Sequence, residues 1–169
     1  MRQIKKILIV AAHPDDEVIG CGGSIPKFIK NDFTVDVIFM TNGISSRFEA
    51  QSEVDNKLIR LRRDNALRAS RIMGVNSIEF LDFPDNSMDK VPLLELAKAV
   101  EEILFKIMPS IVLTHSNNDL NIDHRLTHQA VLIATRPKPK NFVKKLMFFE
   151  IPSSTNWNPS SKQFNPIEY

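Results

Sequence analysis

The chain has 169 residues, 43% of them hydrophobic, and its 22 basic and 20 acidic side chains leave a formal net charge of +2. This length favours one domain with a sizeable core, predicted over residues 1–151, followed by an irregular segment over residues 152–169. The basic residues are spread along the chain, so the charge pattern argues against a nucleic-acid partner. The apolar run near the N-terminus is too short for a signal peptide or a membrane span. Cys21 is the only cysteine, which excludes an intrachain disulfide and favours a reducing compartment, the cytoplasm.

Short apolar runs rich in β-branched residues alternate with helical patterns along the chain. This alternation is typical of βαβ units, so the sequence predicts a Rossmann-like α/β fold, a three-layer sandwich with a mostly parallel sheet. In such a fold the active site lies at the carboxyl ends of the strands. The predicted strands are Ile4–Ala11, Thr34–Met40, Ser77–Leu81, Ser110–Thr114 and Lys145–Ile151.

Helical patterns fill most of the segments between these strands. Gly74 ends one of the predicted helices, and a third pattern with clear helical spacing lies between Pro92 and Pro109. The predicted helices are Val18–Lys30, Val54–Met73, Leu93–Ile107 and Asp123–Ala134.

One long polar segment follows the second predicted strand. Thr41–Asp55 shows no regular period, and it leaves the sheet at the same edge as His13. Loops at this edge carry function in α/β proteins, so we interpret this segment as a candidate lid.

The first predicted strand runs directly into a group of polar residues, His13-Pro14-Asp15-Asp16. Imidazole nitrogen and carboxylate oxygen are zinc ligands, so His13 and Asp16 are candidate ligands, with Pro14 stiffening the turn between them. Asp15 then remains for proton transfer as a general base. The alternative is that the aspartates cap the following helix. Two adjacent carboxylates at a buried strand end repel each other unless a cation lies nearby, which favours the metal site.

A second polar group follows the fourth predicted strand, which we expect to neighbour the first strand. It contains three of the chain's four histidines, and a third metal ligand can come from any of them. His124 and His128 lie four residues apart on a predicted helix, so they can also bind a metal as a pair. Asp123 is a candidate for orienting a ligand or a catalytic group. Spacing alone leaves the choice among His115, His124 and His128 open.

Three strings of residues together carry a family resemblance: Ala-His-Pro-Asp-Asp-Glu at 12–17, Gly-Cys-Gly-Gly at 20–23 and Asp-His-Arg at 123–125. They resemble the PIG-L / LmbE-like zinc-dependent N-deacetylases, the relatives of N-acetylglucosaminyl-phosphatidylinositol de-N-acetylase, which remove acetyl groups from amino sugars and related amides. The resemblance implies that His13, Asp16 and His124 hold one zinc ion, or another divalent metal, and that Asp15 is the general base. It thereby selects His124 over the other two histidines.

The resemblance also implies residues for substrate binding. Arg62 matches an arginine that the family carries ahead of a helix end, and Asp85 lies in a loop that is near the sugar in relatives. Arg47 lies in the position of a substrate-contacting loop. Many relatives carry His-x-Asp-His where this chain has Asn121-Ile-Asp123-His124. Asn121 can donate a hydrogen bond to an oxyanion but cannot transfer a proton.

The function predicted from these residues is zinc-dependent removal of an acetyl or other acyl group from the nitrogen of an amino sugar or sugar-like small molecule. Asp15, Asp123 and Asn121 are the predicted catalytic residues. The alternatives are a Rossmann-like module that binds a sugar or nucleotide without catalysis, and an inactive, truncated homologue that binds zinc, because the family usually continues beyond the position matching Tyr169. A homo-oligomer is compatible with the sequence.

Overall fold

The computed structural model describes residues 5–44, 46, 56–137 and 143–157. These residues form one parallel sheet of five strands in the order β3-β2-β1-β4-β5, with helices on both faces. This architecture confirms the predicted α/β fold. In chain order the elements are β1 (Lys5–Ala11), α1 (Asp16–Cys21), α2 (Ser24–Lys30), β2 (Phe33–Thr41), α3 (Asn56–Met73), β3 (Ser77–Phe83), α4 (Leu93–Ile107), β4 (Ile111–His115), α5 (Ile122–Ala134) and β5 (Lys145–Phe149).

The central strand β1 is buried on both faces because helices cover both sides of the sheet. Leu8 and Val10 pack into the hydrophobic cluster beneath α4 and α5. Ile7 and Ile9 point the other way, into the cluster that contains Ile25 of α2. Each such aliphatic side chain contributes about 1.5–3 kcal/mol by leaving water, which explains the continuous apolar run of β1.

The order of the strands creates a switch point at β1. The chain leaves β1 towards β2 on one side, and β4 returns to pair with β1 on the other side, with Val10 opposite Thr114. The predicted adjacency of the first and fourth strands is therefore confirmed. Because all five strands are parallel, the loops after β1 and β4 meet at one edge of the sheet, where an open α/β sheet forms its ligand crevice.

The helix predicted over Val18–Lys30 is wrong as a single element. The structure has two helices there, α1 and α2, separated by Gly22 and Gly23. Pro26 gives the physical reason, since it has no N–H to donate to the carbonyl of Gly22 and its ring clashes with that carbonyl in a continuous helix. Pro26 is tolerated in the first turn of a new helix, so the chain starts α2 instead.

The helix between Pro92 and Pro109 has the predicted bounds. Its predicted apolar face is buried under the sheet at Leu96, Ala97, Val100, Ile103 and Leu104. The remaining strands and helices agree with the predicted ones to within two residues where the structure describes both ends.

Two predicted features lie mostly outside the described residues. The candidate lid Thr41–Asp55 is described only for residues 41–44 and 46, so Arg47 lies outside them. Of the segment predicted to be irregular, residues 152–157 are described, and they include a short 3-10 helix at Thr155–Trp157. The single-domain prediction over residues 1–151 stays a prediction. Among the described residues, no helix combines the length and the apolarity needed to cross a membrane.

Candidate active site

A cleft opens where the strands β1, β2, β3 and β4 end. Residues from the turns after all four strands line it, together with residues that follow β5. The lining residues include His13, Asp15, Asp16, Arg62, Asp85, Asn86, Asn121, His124 and Ser154. The cleft therefore contains every predicted site residue that the structure describes except Asp123, which is fully buried beside it.

The turn between β1 and α1 is closed by its own hydrogen bonds. The N–H groups of Asp15 and Asp16 both donate to the carbonyl of His13, at 3.0 and 3.2 Å. The His13 N–H donates back to Asp16 Oδ2 at 2.8 Å. This local closure also places His13 Nδ1 3.2 Å from Asp16 Oδ2. The turn thus brings together the two predicted ligands, His13 and Asp16, which are three residues apart in the chain.

His124 reaches the same point from α5. The helix is capped by Asn121, whose side-chain oxygen accepts from the Asp123 N–H at 2.8 Å. His124 Nε2 lies 3.1 Å from His13 Nδ1 and 3.3 Å from Asp16 Oδ2. Two imidazole nitrogens and one carboxylate oxygen thus converge, all on buried side chains. This donor set fits a metal ion.

The convergence of charges shifts the pKa values of all three groups. Burial alone lowers the pKa of His13, but hydrogen bonds to Asp123 and Asp16 and the nearby carboxylate charges raise it to about 10. Burial likewise lowers the pKa of His124, and its hydrogen bonds to Asp119 and Asp16 raise it to about 9. For Asp16 the effect of burial is outweighed by the surrounding histidines, which hold its pKa well below the usual range. A cation is thus strongly favoured here, and metal binding competes with protons.

Buried carboxylates contact the remaining nitrogens of both imidazoles. His13 Nε2 lies 3.3 Å from Asp123 Oδ2 and 3.3 Å from Asp85 Oδ1. His124 Nδ1 lies 3.0 Å from Asp119 Oδ2. Such carboxylates fix the tautomer of a metal-binding histidine and leave its other nitrogen free for the metal.

Asp119 is the orienting residue that the sequence reasoning missed. The predicted orienting residue, Asp123, contacts His13 and not the neighbouring His124. Asp119 holds His124, and its own carboxylate accepts from Thr155 Oγ1 at 2.7 Å and Ser154 Oγ at 3.0 Å. In the sequence, Asp119 is marked only by its position in the polar segment between β4 and α5. That position does not indicate which carboxylate faces which histidine.

Asp15 lies beside the ligand set without being part of it. Arg62 of α3 donates from Nη2 to Asp15 Oδ2 at 2.7 Å, and both side chains are partly exposed to the cleft. Burial and the charge of Asp16 raise the pKa of Asp15, whereas the Arg62 guanidinium and His13 lower it, and the pKa remains raised. A carboxylate whose pKa moves towards neutrality is suited to take and return a proton.

The chain approaches this turn closely at Gly43, in the loop after β2. Gly43 has a φ of +69°, which residues other than glycine rarely adopt. An added Cβ would lie 3.0 Å from Pro14 Cδ and 3.3 Å from His13 Cβ. The glycine therefore lets the β2 loop pack directly against the His-Pro turn.

Asn121 belongs to a chain of amide and hydroxyl groups at the rim of the cleft. Its Nδ2 donates to Asn86 Oδ1 at 3.1 Å, and Asn86 Nδ2 donates to Ser46 Oγ at 3.1 Å. An amide nitrogen carries two protons, so one proton of Asn121 Nδ2 is left for a group in the cleft. The predicted donor thus lies in the cleft, with its orientation fixed by the helix cap.

Asp85 and Asp123 both lie deeper than Asp15. Asp85 is 3% exposed, and its Oδ2 accepts from the Ser46 N–H at 2.9 Å. Asp123 is fully buried and accepts from the N–H groups of Asn86 at 2.6 Å and Met88 at 3.2 Å. Asp85 still lines the cleft, but its contact with His13 gives it an orienting role beside the predicted substrate contact.

The other two candidate histidines differ in position. His115 lies beneath His124, with the ring centroids 4.0 Å apart and the planes inclined by 20°. His128 donates from Nδ1 to the His115 carbonyl at 2.8 Å, and its ring packs against Phe148. Among the described residues, the potential ligand groups contain His115 and His124 but not His128. The predicted pairing of His124 with His128 is therefore not formed.

Comparison with known proteins finds a matching family model and several sequence relatives. The family model for GlcNAc-PI de-N-acetylase (PIG-L) matches residues 8–135. Diacetylchitobiose deacetylase of Thermococcus kodakarensis is 34% identical over 111 residues, covering 65% of this chain and 40% of that protein. A probable N-acetyl-alpha-D-glucosaminyl L-malate deacetylase 2 of Bacillus subtilis is 28% identical over 137 residues, covering 79% of this chain and 62% of that protein.

A solved structure agrees with these sequence relatives. The N,N'-diacetylchitobiose deacetylase from Pyrococcus horikoshii aligns with a TM-score of 0.73 and 26% identity, covering 88% of this chain and 61% of that chain. The present chain therefore spans less than two thirds of the length of these relatives. The family model covers the strand-end turn, the orienting carboxylates and the α5 histidine together. The chain belongs to the PIG-L (GlcNAc-PI de-N-acetylase) family.

Proposed function

We propose that this protein is a zinc-dependent hydrolase that removes an N-acetyl or other N-acyl group from an amino sugar or sugar-like small molecule. The observation that carries this proposal is the convergence of His13 Nδ1, Asp16 Oδ2 and His124 Nε2 within 3.1–3.3 Å of one another, with Asp15 beside them in the cleft. Three protein ligands and an adjacent carboxylate are the set that hydrolytic zinc sites use.

Zinc fits these residues better than a hard cation does. Two of the three donors are imidazole nitrogens, whereas magnesium and calcium prefer oxygen ligands. The contacts of His13 Nε2 with Asp123 and of His124 Nδ1 with Asp119 orient the two rings so that the opposite nitrogen of each faces the proposed metal. When bound, zinc supplies Lewis-acid polarisation of the amide carbonyl and lowers the pKa of the attacking water.

Asp15 carries the proton transfers. Its carboxylate takes a proton from water as the water oxygen attacks the carbonyl carbon, and it returns that proton to the nitrogen as the C–N bond breaks. The products are the free amine and the carboxylic acid. Arg62 holds Asp15 Oδ2 at 2.7 Å, which keeps the carboxylate beside the ligand set during both transfers.

Asn121 lies where the family resemblance implies a histidine. Its remaining amide proton can donate to the developing oxyanion, and hydrogen bonds of this type are worth about 2.7–4 kcal/mol in other hydrolases. An amide cannot donate its proton to the leaving amine. Asp15 alone therefore transfers protons in both directions in this chain.

The cleft indicates a small polar substrate group. Its volume of about 220 Å³ lies below the ~300–1,000 Å³ of ordinary ligand pockets, so it admits one sugar-sized unit. Amide and hydroxyl groups of Ser46, Asn86, Asn121 and Ser154 line it. The relatives are named for diacetylchitobiose and N-acetylglucosaminyl malate, which both present an N-acetylated amino sugar.

The experiment that tests the function is an assay for new primary amine and acetate. A panel should contain N-acetylglucosamine, diacetylchitobiose and N-acetylglucosamine carrying a polar aglycone, each with and without a chelator. We expect turnover of at least one of these substrates that stops with the chelator and returns with zinc. No amine release from a zinc-loaded, folded protein contradicts the proposal.

A variant pair tests the role of Asp15. Asp15→Asn keeps the size of the side chain but removes its basicity, so we expect turnover to fall by about 10²–10⁴-fold while zinc stays bound. Asp64→Asn alters an exposed carboxylate of α3 and is the matched control. Full activity of Asp15→Asn shows that another group is the base.

A sugar-binding module without catalysis is the competing function, and zinc content separates the two. Stoichiometric zinc with amine release supports the enzyme, whereas sugar binding without zinc supports the module. An inactive homologue binds zinc but releases no acetate.

Cys21, the only cysteine of the chain, is a buried free thiol, which supports a cytoplasmic location as part of this proposal.

A further inference from the structure

His115 is a buried histidine that the proposed reaction does not use. It is the last residue of β4 and is 0% exposed. Its Nε2 accepts the N–H of Ala12 at 2.9 Å, and the same atom lies 3.4 Å from Asp16 Oδ2. His115 therefore contacts the backbone directly before His13 and also the carboxylate of the proposed ligand set.

The ring of His115 also supports the third proposed ligand. It stacks on the ring of His124 at a centroid distance of 4.0 Å and an angle of 20°. The His115 ring also contacts the ring of Phe149 in β5, with a centroid distance of 4.6 Å and an interplanar angle of 57°. His124 therefore lies on an aromatic surface that Phe149 holds in place.

The hydrogen-bond pattern argues that an imidazole is present here for its acceptor atom. Because Nε2 accepts, the neutral ring carries its proton on Nδ1, and this atom is buried without a partner among the described residues. A buried donor without a partner costs about 1–3 kcal/mol, which an apolar ring of similar size would avoid. Stability of the core alone therefore does not explain His115.

We propose that His115 is a positioning residue that holds the zinc ligands in their binding arrangement. It anchors the Ala12 amide, and hence the start of the His13 turn, through Nε2, and it supports the His124 ring by stacking. This inference rests on the proposed metal centre. His115 acts through the proposed ligands, without contacting the substrate or transferring a proton.

Three variants separate the two contacts of His115. His115→Ala removes both contacts, and we expect zinc affinity to fall by about 10–100-fold, as for other partners that orient metal ligands. His115→Phe keeps a ring for stacking but loses the acceptor. His115→Gln offers an acceptor near the position of Nε2 but loses the stack. We expect Phe and Gln to bind zinc with affinities between those of the wild type and Ala.

His128 provides the matched control. It is also a buried histidine next to β5, and it hydrogen-bonds the backbone of His115 while its ring packs against Phe148. His128→Phe changes the core by a similar amount without touching a proposed ligand. We expect it to lower the melting temperature but to leave zinc affinity unchanged.

The measurements are zinc affinity by competition with a coloured chelator, the visible spectrum of the cobalt-substituted protein, and thermal unfolding without metal. Weaker zinc binding and an altered cobalt spectrum in the His115 variants, but not in His128→Phe, support the inference. A folded His115→Ala protein with wild-type zinc affinity overturns it. If Ala does not fold, wild-type affinity in both Phe and Gln overturns it instead.

The same measurements separate this inference from the proposed function. A wild-type protein that binds zinc but releases no acetate contradicts the deacetylase while leaving the role of His115 standing. A wild-type protein that deacetylates, with His115 variants that bind zinc normally, contradicts only the role of His115.

Discussion

The two strand-to-helix connections that form the site are built in different ways. The turn between β1 and α1 is held by its own backbone and by the side chain of Asp16. The longer connection between β4 and α5 depends on groups from elsewhere in the chain. Asp119 in this connection is held by Ser154 and Thr155, which follow β5. The backbone turn that carries His13 and Asp16 is therefore local, whereas the position of His124 requires the residues that follow β5.

Substitutions in the two connections are therefore expected to affect the site in different ways. Changes in the first turn act on ligands and proton transfer directly, because each of its polar residues faces the cleft or the proposed metal. Changes near the second connection act through orientation, since they alter how firmly His124 is held.

The largest effect is expected from removing the ligand that the second connection carries. In His124→Ala, two donors remain at the site, and we expect zinc content to fall to a trace after dialysis. Elemental analysis of the purified protein measures this directly. His128→Ala, one turn further along α5, should retain zinc. Full zinc occupancy in His124→Ala would remove this residue from the proposed ligand set.

A smaller effect is expected from the carboxylate that orients this ligand. Asp119→Asn keeps the size of the side chain but removes the charge that faces His124 Nδ1, so zinc affinity should fall by about 10–100-fold. Chelator competition measures the change. Asp36→Asn is the control, because Asp36 is also buried and accepts from Asn76 and Ser77. Equal losses of zinc affinity in both variants would show a general effect on the fold.

Arg62→Gln tests the proton-transfer side of the first turn. Because Arg62 holds Asp15 by a charged hydrogen bond, we expect kcat to fall by about tenfold with little change in KM, the loss of one such bond. Arg63→Gln is the control, since Arg63 is paired with Asp82 instead. A rise in KM at constant kcat shows that Arg62 acts by contacting the substrate, as the family resemblance implies.

Glu17 is expected to affect the stability of the fold rather than the metal centre, because its carboxyl group is buried in the first turn of α1. Burial, with the charges of Asp16 and Asp15, raises its pKa from 4.5 to about 7. Between these values the folded protein keeps a proton that the unfolded chain releases. The contribution of protonated Glu17 to the free energy of unfolding is therefore complete below pH 4.5 and is lost as the pH rises towards 7.

The measurement for Glu17 is chemical unfolding with a chelator at several pH values. The wild type should lose about 1.4 kcal/mol per pH unit more than Glu17→Gln across this window. Glu95→Gln alters an exposed carboxylate of α4 and should follow the wild type. Parallel curves for Glu17→Gln and the wild type would show that folding does not shift the pKa of Glu17.

The predictable parts of the fold are those in which local pattern and packing agree. The apolar strands and the helix between Pro92 and Pro109 were predicted correctly because burial follows from their periodicity. The split between α1 and α2 was not predicted, because the composition of Val18–Lys30 favours a helix and only Pro26 interrupts it. The contact of Arg62 with Asp15 joins residues that are far apart in the sequence, and no local pattern signals which way the arginine turns.

The sequence by itself determined the turn that brings His13 and Asp16 together, because hydrogen bonds within that turn specify its backbone. Only the tertiary structure decided which of the remaining histidines faces them. His115 ends a strand and points into the layer beneath the site. His124 and His128 lie one helical turn apart, about 6 Å along α5, and it is His124 that faces His13. The pairing of β1 with β4 brings His124 to His13 and leaves His128 against Phe148. Such distances depend on strand order and helix docking, which no short motif encodes.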